Sequence, residues 1–166
     1  MRVEVIEFNK NRNKFKLDMN LEINMLEEEI QEFFNATDTA ERLDAYIDTK
    51  YVYIGTQAKT MYNGYTIDDT IRKWIDSSIK FMEDTLIEEV GFNNFKTIVK
   101  KAEKIVCNAN ALKGKKLDNN GKVVKDEAYK EAIDATQQIR EMIKKHIWYI
   151  YGNQGETMHP WLQLLK

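Results

Sequence analysis

The 166-residue chain contains one proline and seven glycines. That is too few turn formers for a fold of short strands and hairpins, and it favours long uninterrupted helices. A single cysteine, Cys107, excludes an internal disulfide and a cysteine-rich zinc site. The longest apolar run is five residues, Ile147 to Tyr151, against the roughly 20 needed to span a bilayer. The opening Met1–Glu7 stretch carries no signal-peptide pattern. These absences lead us to expect a cytoplasmic helical protein with no membrane partner.

What is present suits one domain spanning 1–166. Hydrophobic residues make up 43% and charged residues 31%, enough apolar side chains to build a core and too many for wholesale disorder. The net charge of −2 hides a polarity along the chain. Between Leu21 and Asp48 stand nine acids and one base, Arg42; between Phe95 and Lys130 stand ten lysines and four acids. A generic nucleic-acid binder would be basic overall with aromatics threaded through the basic part, so no nucleic-acid partner is expected. The bipolar pattern suits acids that gather cations and lysines that gather anions, or simply two solvated faces of opposite sign.

Hydrophobic periodicity places the elements. Arg2 to Lys16 alternates weakly through Val3 and Val5 and reads as a short strand or an irregular arm. From Asn20 the spacing of Ile23, Leu26, Ile30 and Phe33 is one stripe of a helix. Thr37, Asp38 or Thr39 caps a second helix, predicted to reach Ala58, with Leu43, Ile47, Tyr51 and Ile54 inward. A third helical stretch follows Thr66–Asp69 and ends at Gly91. A fourth carries Phe95, Ile98, Val99, Ala102, Ile105 and Val106. Residues 114–121 read as a loop, and a fifth helix runs from about Lys125 to Tyr151. The core spans 20–151, and 152–166 is a tail.

Two acid strips stand out. On the helix that follows Asn20, Glu29 and Glu32 are three residues apart and Glu28 and Glu32 four, and Glu41, Asp44 and Asp48 repeat the device on the next. At 3.6 residues per turn each set shares a face. Stacked like charges are unfavourable by about a few tenths of a kcal/mol per exposed pair, and more if antiparallel helices bring the strips together. A hard divalent cation would offset that repulsion. With neither histidine nor cysteine in the strips, the chemistry suits magnesium rather than zinc. A solvated acidic surface is the plain alternative.

The order Glu28-Glu29-x-x-Glu32-Phe33, then Asp44-Ala45-x-x-Asp48-x-x-Tyr51-Val52-x-x-Gly55-Thr56, resembles the all-α nucleoside triphosphate pyrophosphatases of the MazG type. It looks closest to their phage and bacterial, phosphoribosyl-ATP pyrophosphohydrolase-like branch. A second stretch is similar too: Val106-x-x-x-Asn110-x-x-Lys113, then Gly121-Lys122-Val123-x-Lys125. The resemblance covers roughly 21–58 and 103–129. It implies an all-α, four-helix-type bundle, here with an extra helical insertion over 62–94.

Carried over by position, the resemblance implies Mg2+ (or Mn2+) ligands at Glu29, Glu32 and Asp48, with Asp44 as a fourth. The family's Glu-x-x-Asp spacing would put an acid where Ala45 stands; Glu41-x-x-Asp44 carries that spacing in another register. Glu28 and Glu32 would act on the attacking water. Asn110, Lys113, Lys122 and Lys125 would bind the nucleotide and its phosphates. The implied reaction cuts a nucleotide substrate between its α- and β-phosphates, in a bacterial or phage-infected cell, by a homodimer or homotetramer. The rival reading is a non-catalytic nucleotide-binding protein on the same fold.

Overall fold

The computed structural model describes residues 1–12, 15–113, 123 and 134–151, with backbone only from 148 onward. The expected loop over 114–121, the start of the last helix before 134, the tail, Lys122 and Lys125 lie outside the described residues. Six helices occur among the described residues: α1 (Arg2–Asn11), α2 (Met19–Asn35), α3 (Thr39–Tyr62), α4 (Asp69–Val90), α5 (Phe92–Leu112) and α6 (Ala135–Tyr151). None is long and apolar enough to cross a membrane.

Aspartates start four of them. The side chains of Asp18, Asp38, Asp68 and Asp134 accept from backbone N–H groups of the first turns of α2, α3, α4 and α6, each satisfying a donor with no intrahelical partner. Gly91 alone joins α4 to α5; its φ of +80° is a conformation that a side chain would oppose.

Helix α3 is the axis of the fold, and the other five pack around it. It is buried on several faces at once: Leu43, Ala45, Tyr46 and Ile47 follow one another with almost no exposure, and Tyr51 and Tyr53 continue the pattern. The main core joins Leu43, Ala45, Tyr46 and Ile47 to Phe33 of α2, Met82 and Leu86 of α4, Ile98 and Val106 of α5, and Ile139 and Ile143 of α6, while Tyr51 and Tyr53 sit in two smaller clusters. The region expected as an insertion is therefore α4, whose inner face is part of that core.

The N-terminal segment corrects the expectation of a strand or irregular arm. It is a helix because Met1, Val5 and Phe8, at i, i+4 and i+7, form a stripe that packs on Tyr51, Ile54 and Cys107. Val3, half of the apparent alternation, is 65% exposed. Gly55 permits the close approach of α1: a Cβ there would lie 3.2 Å from Asn9 Nδ2 and 3.6 Å from Val5 Cγ1.

Helices α2 and α3 run antiparallel. At one end Glu22, fully buried, accepts from Lys59 Nζ at 2.5 Å and from Thr56 Oγ1 at 3.0 Å. Glu22 counts among the acids of the sequence pattern, yet it is a core residue neutralised across the hairpin. Two charges removed from water tolerate each other only as a pair. Lys59→Met should destabilise the protein by about 3–5 kcal/mol, and the double variant Glu22→Leu/Lys59→Met should recover most of that loss. Urea unfolding of the three proteins measures both effects; equal loss in single and double variants would show that packing, not charge, dominates.

Candidate active site

The other end of the α2–α3 hairpin holds the candidate site. Helix α3 begins with an arrangement close to a capping box: Asp38 accepts from Glu41 N at 2.9 Å, and Glu41 Oε2 accepts from Thr37 N and Oγ1 at 2.7 and 2.9 Å. Glu41 also lies 3.7 Å from Arg140. Glu41 thus serves the helix start, Ala45 is buried in the core, and the Asp44 side chain faces α6. Arg140 of α6 grips Asp38 Oδ2 through Nε and Nη2, at 3.0 and 2.7 Å. That pair fixes α6 antiparallel to the start of α3.

One turn earlier on α6, Thr136 Oγ1 donates to Asp44 Oδ2 at 2.5 Å. Asp134 accepts from Thr136 N at 2.8 Å, so the positive end of α6's dipole lies beside Asp44. The second carboxylate oxygen, Asp44 Oδ1, is buried and meets no donor among the described residues. Burial, then the charge of Asp48 one turn along α3, push the Asp44 carboxyl up from 3.8 to about 7. Asp134 and Glu32 add smaller pushes in the same direction, and the Thr136 hydroxyl pulls the other way. The charges that raise Asp44 thus come from three helices: Glu32 from α2, Asp48 from α3 and Asp134 ahead of α6.

The remaining residues fall around it. Asn110, 4% exposed near the end of α5, donates Nδ2 to Asp48 Oδ1 at 3.3 Å; it orients a carboxylate, a role beyond the expected nucleotide contact. Lys113 ends α5, with its N–H on Asn110 O at 3.1 Å. Its carbonyl accepts from Arg12 at the end of α1, whose guanidinium also lies 3.9 Å over the Phe8 ring. Helix α1 therefore latches the α5 end to the bundle. On α2, Glu29 is half-buried one turn before Glu32, and Glu28 and Glu32 are exposed. Cys107 is packed against α1 with its thiol pushed up by burial. Sequence reasoning missed Thr136, Asp134 and Arg12. Asp134-Ala135-Thr136 carries a helix-start signal, but the last helix was expected from about Lys125; nothing in the sequence marks Arg12.

Among the described residues no three acids or other ligand side chains form a ready-made metal cage. The donor set nonetheless fits a hard divalent cation: it consists of carboxylate oxygens, one of them buried and unmatched, with mutual repulsion that a cation would relieve. The chain matches no family model, no curated protein and no solved structure.

A raised carboxyl pKa makes the native state the better proton binder. Its penalty is absent well below the unfolded value near 3.8, grows as pH rises, and is complete above about 7. In EDTA, Asp44→Asn should therefore stabilise the protein at neutral pH by about 0.5–2 kcal/mol, and the gain should shrink toward pH 4. The carboxamide introduced by Asp44→Asn can still accept from Thr136. Urea unfolding of both proteins between pH 4 and 8 tests this; a gain that does not vary with pH would place the origin elsewhere.

Proposed function

We propose that the protein is a magnesium- or manganese-dependent nucleotide pyrophosphohydrolase that cleaves a (d)NTP or related nucleotide to the monophosphate and pyrophosphate. The observation that carries the reading is Asp44 Oδ1, buried and without a donor among the described residues, one turn from Asp48 and within the field of Glu32 and Asp134. A solvated acidic face would not bury a carboxylate oxygen in this way, which favours the cation reading over the plain one. Lys113, at the end of the helix whose Asn110 touches Asp48, gives the acidic site a basic neighbour suited to a polyphosphate.

In this reading Glu29, Glu32, Asp44 and Asp48 hold the ion. The chemistry it supplies when bound is Lewis acidity toward phosphate oxygens and toward water. Glu28 or Glu32, both exposed on α2, accepts a proton from the attacking water. The water oxygen bonds to phosphorus as the α–β bridging P–O bond breaks, and pyrophosphate departs with its charge countered by Lys113, Lys122 and Lys125. Asn110 and Thr136 keep the two α3 carboxylates oriented. The same reading has copies of the chain pair into a dimer or tetramer; Phe34 and Phe81, about half exposed with ring centroids 5.5 Å apart, offer apolar surface for it.

Incubation with a panel of (d)NTPs, magnesium or manganese, and a pyrophosphate readout tests the proposal. Turnover should vanish in EDTA, and zinc should support little of it. Glu32→Gln and Asp48→Asn should each lower kcat by roughly a hundredfold or more, whereas Lys113→Ala should chiefly raise KM. Tight nucleotide binding with no pyrophosphate release would favour the non-catalytic binding protein instead.

A further inference from the structure

We infer that Thr136 is a positioning residue for the metal site, its hydroxyl fixing Asp44 Oδ2 so that Oδ1 is the oxygen presented to the cation. The inference rests on the metal reading above and extends the site to α6, which the acid motifs do not include. A threonine hydroxyl has one proton to donate, and here it points to Oδ2 at 2.5 Å. That bond removes the free rotation by which a carboxylate exchanges its oxygens, and the second oxygen is left buried without a donor among the described residues. Two further contacts hold Thr136 in register: Asp134 Oδ1 accepts its backbone N–H, and Arg140, one turn on, clasps Asp38 at the start of α3. Helix α6 is thus docked at the position that brings this hydroxyl to Asp44.

The full chain, as wild type, Thr136→Val and Thr136→Ser, is titrated with Mn2+, and free ion is read by electron paramagnetic resonance. Valine keeps the shape and removes the hydroxyl; serine keeps the hydroxyl. Loss of an outer hydrogen bond to a ligand should weaken Mn2+ binding about tenfold or more in Thr136→Val, while Thr136→Ser stays within about threefold of wild type. In an Asp44→Asn background, Thr136→Val should cause little further loss, because the two act through one oxygen pair. If Thr136→Val does not fold, Thr136→Ala serves the same comparison.

Equal Mn2+ affinity in wild type and Thr136→Val overturns the inference and leaves the proposed function standing. Equal losses in the valine and serine variants also overturn it, since the methyl group rather than the hydroxyl would then matter. A wild type that binds no Mn2+ removes both the inference and the metal reading. Hydroxyl-dependent Mn2+ binding without pyrophosphate release keeps the inference and discards the hydrolase.

Discussion

Helix α3 has to be the hydrophobic axis of the fold and the carrier of two carboxylates one turn apart, and the rest of the structure is arranged around that constraint. Leu43, Tyr46 and Ile47 are essentially unexposed, and burying each such side chain contributes about 1.5–3 kcal/mol. The helix cannot rotate to release Asp44 without withdrawing these residues from the core. Like-charge repulsion at the surface amounts to about a few tenths of a kcal/mol per pair; even when burial enlarges it, core packing wins, and Asp44 stays beside Asp48 with its carboxyl pushed up to about 7.

The neighbouring helices answer that repulsion with donors. Thr136 approaches from α6 and Asn110 from α5, each addressing one of the two carboxylates. The opposite end of the α2–α3 hairpin shows what a completed solution looks like: Glu22 has both oxygens engaged, one by Lys59 and one by Thr56. One hairpin thus satisfies a buried carboxylate in full at one end and leaves a carboxylate oxygen unmatched, among the described residues, at the other. That second end is where the proposed cation would complete what the protein groups do not.

Stability and site geometry share the same contacts. Arg140 with Asp38, Lys50 with Glu103 and Arg42 with Glu89 tie α6, α5 and α4 to α3. Helix α1 adds a latch through Arg12 on the Lys113 carbonyl, so the segment that carries Asn110 and Lys113 is braced from outside the acid motifs. Ion pairs of this partly exposed kind contribute modestly to stability; their value here is register, since a shift of α6 by one residue would turn Thr136 away from Asp44.

The amino-acid order by itself determined the helical class, the stripes of α2 to α5 and the turn at Gly91. These follow from local rules: glycine and proline scarcity, apolar period, and aspartates at helix starts. It misjudged α1, because the alternation of Val3 and Val5 masks a stripe whose meaning depends on Tyr51 and Cys107, far along the chain. It also left Glu41 and Asp44 as rivals and gave Glu22 no place in the core. Only the tertiary structure shows that the first segment is a helix, that Glu41 braces the start of α3 and that Glu22 is buried. Periodicity reports which face of a helix is apolar, but not which neighbour covers it. The hydroxyl that meets Asp44 lies 92 residues away, and the lysine that neutralises Glu22 lies 37 away. Such pairings arise from how whole helices dock, and no local spacing encodes them.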